Sequence, residues 1–316
     1  MTAPNDLVLR EPTAADHVAI AAIRNRSYAW DVPADATTIA WSMGRADPGR
    51  PKAAVLGHRA GELVGVGYAR GVPGQEGLLV EVYVDPDHRR LCIGSALFSA
   101  LLASIGPTDL SLWSYASESD AGAMGFAARY GFVERDRAFE SGLDLATFDA
   151  DAHAGAMLAA SARGLRMSTV AAEDSPEMRR KLYVLTQLLE RDVPSVTPRP
   201  EMTFEEWAAF AIHGPHARLD LFVLALDGDQ PVALSNVLGL PGGFAYNAMT
   251  GVGRAHRGMK LGLAVKVEAL RLAKAAGFTH VRTDNHQRNA PMLAINARLG
   301  YRPLPALVEF ERARAS

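Results

Sequence analysis

The stretch "HRGMKLGLAVK" (His256–Lys266) decides the reading of this chain. It joins an apolar, alternating segment, "GFAYNAMTGV" (Gly243–Val252), to an apolar run ended by Gly277. That order reads as a strand, a tight glycine-bearing loop and an amphipathic helix from about Gly262 to Ala276, with Leu263, Val267, Leu270 and Ala273 on one face. The first N–H groups of a helix have no internal acceptor, and its dipole adds positive charge there. A phosphate satisfies both, and glycine lets the backbone approach it closely. The segment is therefore a candidate pyrophosphate cradle, with Arg257 and Lys260 beside it.

A similar stretch, "HRRLCIGSALF" (His88–Phe98), follows "GLLVEVYVDP" (Gly77–Pro86). Arg89 to Arg257 is 257 − 89 = 168 positions, and Gly131 to Gly300 is 300 − 131 = 169. A near-constant offset at two landmarks argues for one duplicated domain. The flanking segments repeat too. "LVLREPTAAD" at Leu7 and "LRMSTVAAED" at Leu165 read as a short strand and a helix start, with Thr13 or Asp16 capping the first. Hairpins are expected at Ala53–Gly71 and Leu221–Gly239, with "RAGE" and "DGDQ" as turns. "DLSLWSY" and "THVRTDN" read as strands, and Asp120–Phe132 and Asn289–Tyr301 as short helices. The expected division is a first domain over 1–150, an Ala-rich linker over 151–164 and a second domain over 165–316.

Composition bounds the function. The chain has 316 residues, 48% hydrophobic and 22% charged, as a globular protein of two domains would. A net charge of −2 gives no basic face for nucleic acid. Cys92 is the single cysteine, so no intrachain disulfide can form, and a reducing, cytoplasmic setting is expected. The N-terminus has no signal-peptide pattern, and no apolar run approaches the roughly 18 residues of a membrane span. There is no GxxxxGK[ST], no GxGxxG with a following acid and no HExxH, which argues against a P-loop, a dinucleotide site and a metal site.

The order strand–helix–hairpin–strand–[QR]xxGx[GA]–helix–strand–helix–GF resembles the GNAT acyltransferases. Arg89, Cys92 and Gly94 match the loop in the first copy; Arg257, Lys260 and Gly262 match it in the second. The resemblance covers nearly the whole chain as two tandem domains. It implies an α/β (α+β) fold, each domain a mixed, mostly antiparallel sheet flanked by helices. It also implies acetyl-CoA as cofactor, held between splayed fourth and fifth strands, and transfer of its acyl group to the amine of a small molecule. No nucleic-acid or membrane partner is expected, and the protein would be a monomer or homodimer.

The resemblance assigns cofactor contacts to Arg89, Arg90, Leu91, Cys92, Ile93, Gly94 and Ser95, and to Arg257, Gly258, Met259, Lys260, Leu261, Gly262 and Leu263. Backbone contacts fall near Val82, Val84 and Val252, where an N–H would meet the developing oxyanion. Asn289 is either a cofactor contact or a plain N-cap. Glu81, on the fourth strand, is the candidate base acting through water; its counterpart is Met249. The family usually has glycine where Cys92 and Lys260 stand, and the loop is expected to survive there with a negative φ. The family's tyrosine acid, four residues before the final glycine, is replaced by Ala127 and Asn296. Asn296 can hydrogen-bond a thiolate but gives up no net proton. Tyr246 and Tyr183 are looser acid–base candidates, and Trp30, Trp41 and Trp207 candidate pocket aromatics. Two other readings stand beside this one. In the first, the chain binds acyl-CoA as a scaffold or sensor; in the second, it is an aminoacyl-tRNA-dependent transferase, which would prefer a basic surface.

Overall fold

A computed structural model describes residues 4–27, 32–47, 49–72, 75–193, 201–286 and 288–313. The chain forms two compact units. One comprises residues 1–137 with 306–316, the other 138–305.

In the N-terminal unit, β1 (Leu7–Arg10) leads through a turn capped by Thr13 to α1 (His17–Ser27) and α2 (Ala36–Gly44). The hairpin β2 (Lys52–Arg59) and β3 (Glu62–Arg70) turns at Ala60 and Gly61, both left-handed, as a tight hairpin turn requires. Then come β4 (Leu78–Val84), α3 (Ile93–Ile105), β5 (Leu112–Ser117) and α4 (Ala121–Arg129). The strands order β1-β2-β3-β4-β5. β4 runs parallel to β5 but pairs with it only at Leu78 and Leu79, so the two diverge beyond that point. Ile93, Leu97, Phe98 and Leu101 of α3 bury against one face of the sheet. Ile20, Ile23 and Ile39 of α1 and α2 bury with Tyr68 and Tyr83 against the other.

The C-terminal unit repeats the plan. β7 (Arg166–Thr169), α6 (Val170–Glu173), α7 (Pro176–Glu190) and α8 (Phe204–Ala211) precede the hairpin β8 (Val223–Asp227) and β9 (Gln230–Gly239). β10 (Phe244–Val252), α9 (Leu261–Ala275), β11 (His280–His286) and α10 (Ala290–Arg298) follow. β10 pairs in parallel with β11 only from Phe244 to Tyr246. It also carries a bulge against β9 between Asn247 and Met249, which β4 lacks against β3.

The expected boundaries at 150 and 165 are corrected. β6 (Val133–Asp144) crosses the division, and its residues 138–144 pair antiparallel with β11. The short β12 (Arg302–Pro303) pairs with the same stretch. In exchange, β13 (Leu307–Arg312) pairs with β5. Each copy thus takes its last strand from the far end of the other's sequence. Nor is 151–164 a linker. α5 (Ala154–Ser161) buries Ala156 and Ala160 in the core that holds Leu270 and Ala273 of α9.

Candidate active site

In the N-terminal unit the divergence of β4 and β5 opens a cavity of about 580 Å³, within the range of small-molecule sites. The start of α3 and the residues before it form one wall, and α4 another. Arg89, Arg90, Cys92, Ile93, Gly94 and Ser95 line it; Leu91, expected there, is exposed and does not. Among the described residues, no protein acceptor takes the N–H groups from Arg90 to Ser95.

The loop conformation differs from the expected one. Cys92 and Lys260 both have positive φ, 60° and 61°. Arg90 at 64° and Gly258 at 80° occupy the other left-handed position, two residues earlier. Glycine is preferred there because a Cβ strains a left-handed residue by about 1–2 kcal/mol. The alternation turns successive amides toward one concavity, an anion nest. The motif glycines Gly94 and Gly262 serve a different end. At Gly94 and Gly262 φ is not left-handed, and an added Cβ would meet Phe126 at 3.3 Å or Val252 at 3.4 Å. These glycines let the helix start pack closely on the strand and on the last helix.

The two motif arginines hold the loop. Arg89 donates to the carbonyls of Val84 (3.4 Å) and Ser27 (2.6 Å). Arg257 donates to the Val252 carbonyl (3.3 Å) and to the Asp192 carboxylate. Arg254 also pairs with Asp192, at 2.5 Å. These hydrogen bonds, Arg254 first, hold the Asp192 carboxyl down to about 2. Both guanidinium groups thus bind the protein and brace the loop, whose backbone amides face the cleft.

Leu78 donates its N–H toward β5, to Ser111 at 2.9 Å, and Asp85 donates toward β3, to Val64 at 2.9 Å. Strand alternation then aims the N–H groups of Val82 and Val84 into the cleft. The same parity holds at Val252, since Gly253 donates to Val232 on β9. Glu81 also lines the cleft, with its side chain on the α1–α2 face. It accepts the Tyr83 phenol at 2.7 Å and lies 3.8 Å from Arg70. Burial pushes the Tyr68 phenol beside it up.

The remaining candidates separate. Tyr246 donates its phenol to Asp284. Asn289 caps α10 through the Met292 N–H, as Asp120 caps α4 through Ala123. Gly258 and Lys260 are exposed, Met259 is half-buried, and Leu261, Gly262 and Leu263 are buried. Trp207 is core, Tyr183 donates to the Met202 carbonyl at 2.7 Å, Arg45 stacks on Trp41, and Trp30 lies outside the described residues.

One residue escaped the sequence reading although it stands in the quoted stretch. Lys266, on α9, is 1% exposed. It donates to Asn296 Oδ1 at 2.6 Å, and its Nζ lies 4.8 Å from the Tyr301 ring centre. Burial alone lowers it to about 7. Asn296, 2% exposed, passes a hydrogen bond to Asn285 Oδ1 at 2.7 Å. The available signal was position: residue 266 lies three after Leu263 and four before Leu270, on the apolar stripe.

A sheet split at parallel strands, with an amide nest at the following helix, is the arrangement of a protein suited to an acyl-CoA. Comparison with known proteins agrees. The model of the "Acetyltransferase (GNAT) family" matches residues 18–132. The mycothiol acetyltransferase of Clavibacter michiganensis subsp. michiganensis (strain NCPPB 382) is 31% identical over 250 residues, covering 78% of this chain and 76% of that one. Among solved structures, a tandem GNAT protein from the clavulanic acid biosynthesis pathway aligns with TM-score 0.73 at 20% identity, over 98% of this chain and 99% of that one. A GCN5-related N-acetyltransferase from Sphaerobacter thermophilus aligns with TM-score 0.71 at 20% identity, over 100% and 98%.

The chain belongs to the GNAT family, as a tandem member with two copies of the fold. It is an N-acetyltransferase that uses acetyl-CoA. The cleft fits that group: it offers unpartnered amides for phosphate and a largely apolar passage between β4 and β5. Among the described residues no helix is long and apolar enough to cross a membrane.

Proposed function

We propose that this enzyme moves the acetyl group of acetyl-CoA to the primary amine of a small molecule by direct attack on the thioester carbon. The relatives named for mycothiol acetyl transfer point to an amine of the mycothiol series. The observation that carries the reading is the cleft itself, which aligns loop amides with the inward N–H groups of β4. Acetyl-CoA supplies an activated acyl group there. The nest residues bind its phosphates, and Val82, Val84 and, in the second copy, Val252 donate N–H groups to the thioester oxygen as charge develops. Glu81, on the opposite face of β4, holds a carboxylate against the Tyr83 phenol in the N-terminal unit, and would take an amine proton through water only if that copy reacts, since its C-terminal counterpart is Met249.

One observation favours a second role for the N-terminal unit. Where the family's tyrosine acid would stand its cleft wall has Ala127, flanked by Phe98 and Phe132, which suits that unit to binding acyl-CoA rather than to protonating a leaving thiolate from that position. The test is release of free thiol from acetyl-CoA with a panel of small amines. Amine-dependent release is expected. Binding of acetyl-CoA with no amine-dependent release would favour the scaffold reading.

A further inference from the structure

The duplication maps the wall of one cleft onto the other. With the offset of 168, Lys266 corresponds to Phe98 and Asn285 to Ser117; with 169, Asn296 corresponds to Ala127 and Tyr301 to Phe132. All four N-terminal residues line the acyl-CoA cleft. Their C-terminal counterparts therefore stand at cleft-wall positions, and three of them form a continuous polar relay. Lys266 donates to Asn296, and Asn296 donates to Asn285. Tyr301 covers the ammonium with its ring, and its own buried hydroxyl has no partner among the described residues.

An ammonium this deeply buried ordinarily has a carboxylate partner. Lys266 has none among the described residues. On its own helix Glu268 pairs with Arg271, and Lys274 donates to the Phe148 carbonyl. On β11, Asp284 takes the Tyr246 phenol, and Arg282 lies over Phe244. Arg298 of α10 is exposed, and His153 of the segment before α5 stacks on Phe148. The site is a proton-holding group kept free of counter-charge, at the wall where the family's phenol acid is missing.

We propose that acyl transfer takes place in the C-terminal unit and that Lys266 is the proton source for its leaving thiolate, oriented by Asn296. This rests on the acyl-transfer reading above. As the amine nitrogen bonds to the acyl carbon, the carbon–sulfur bond breaks, and sulfur leaves with the electron pair. It takes a proton from the Lys266 ammonium, and Lys266 regains one from solvent as the amine loses one. Burial prepares lysine for this, since its proton becomes labile near neutral pH.

The experiment compares the full-length enzyme with Lys266→Met and Lys266→Arg, following thiol release against pH and acetyl-CoA binding by calorimetry. In the wild type, kcat declines on the alkaline side near pH 7, because the protonated form is required. Lys266→Met binds acetyl-CoA with wild-type stoichiometry, loses about 100-fold in kcat and loses that limb. Lys266→Arg restores charge but keeps its proton, so kcat stays low. Overturning results are a wild-type kcat with no alkaline decline between pH 7 and 9, full kcat in Lys266→Met, or rescue by arginine. Gly262→Glu separates the two claims. Undiminished turnover there places the reaction outside the C-terminal unit and overturns the proposal while leaving acyl transfer intact. Absence of amine-dependent thiol release from the wild type overturns acyl transfer itself.

Discussion

Lys266→Met is expected to raise the stability of the protein at pH 7 and to lose that advantage as pH rises. A lysine lowered from 10.5 to about 7 by burial carries about 5 kcal/mol against its charged form, at about 1.4 kcal/mol per pH unit. Methionine has similar length and removes that burden. It also leaves Asn296 Oδ1 without its donor, which costs about 1–3 kcal/mol, and forfeits the contact with the Tyr301 ring, about 1–2 kcal/mol. The net gain at pH 7 is then about 0–3 kcal/mol. The sign of the pH dependence follows from the lowered value. Between pH 7 and 10.5 the unfolded chain binds more protons than the folded one, so wild-type stability rises with pH over that window. The variant lacks this rise. Urea unfolding of both full-length proteins at pH 7 and pH 9 measures the difference, in which shared titrations cancel. The gap should shift by about 2 kcal/mol in favour of the wild type. A gap that stays constant from pH 7 to 9 would show that Lys266 is not held in a low-dielectric site, and the reasoning would fail.

Other outcomes follow from the same geometry. Cys92→Val places a β-branched residue at φ 60° and should lower the melting temperature by the equivalent of about 1–3 kcal/mol, whereas Cys92→Gly should be neutral or slightly stabilising. Arg89→Ala removes the donors to Ser27 and Val84, and should cost about 1–2 kcal/mol in urea unfolding and weaken acetyl-CoA binding by loosening the loop. Asp192→Asn should cost less than about 1 kcal/mol, because the triad with Arg254 and Arg257 is partly solvated. The stability that Asp192 contributes should be complete above about pH 4 and lost as pH falls through about 2, readable by carboxyl NMR during acid titration.

The repeated loop, the hairpins and the strand–helix order were legible because each rests on local chemistry. Gly61 and Gly228 mark the turns, and the stripe from Leu263 to Ala273 marks α9. Two things were not local. The pairing of β6 with β11 and of β13 with β5 joins residues far apart in sequence, so no window along the chain reveals the exchange. The left-handed state of Cys92 and Lys260 also runs against residue preference, and surrounding structure imposes it. At the site, Gly94 and Gly262 were legible as loop glycines near a cofactor, but their packing against Phe126 and Val252 was not. Lys266 had only its place on the apolar stripe to mark it; its burial and its contact with Asn296 emerge in the structure. Asn296 stood in the sequence as a replaced tyrosine able to hydrogen-bond a thiolate; its partners Lys266 and Asn285 could not be read there.

The most direct measurement is calorimetric titration of acetyl-CoA into the wild type and into Gly94→Glu and Gly262→Glu, with thiol release recorded on the same samples. Each glutamate would force a side chain between helix start and strand and set a carboxylate at the amide nest. The expected result is one binding event lost in each variant, with turnover lost only in Gly262→Glu. Unchanged binding in both variants would contradict the assignment of these loops to acetyl-CoA.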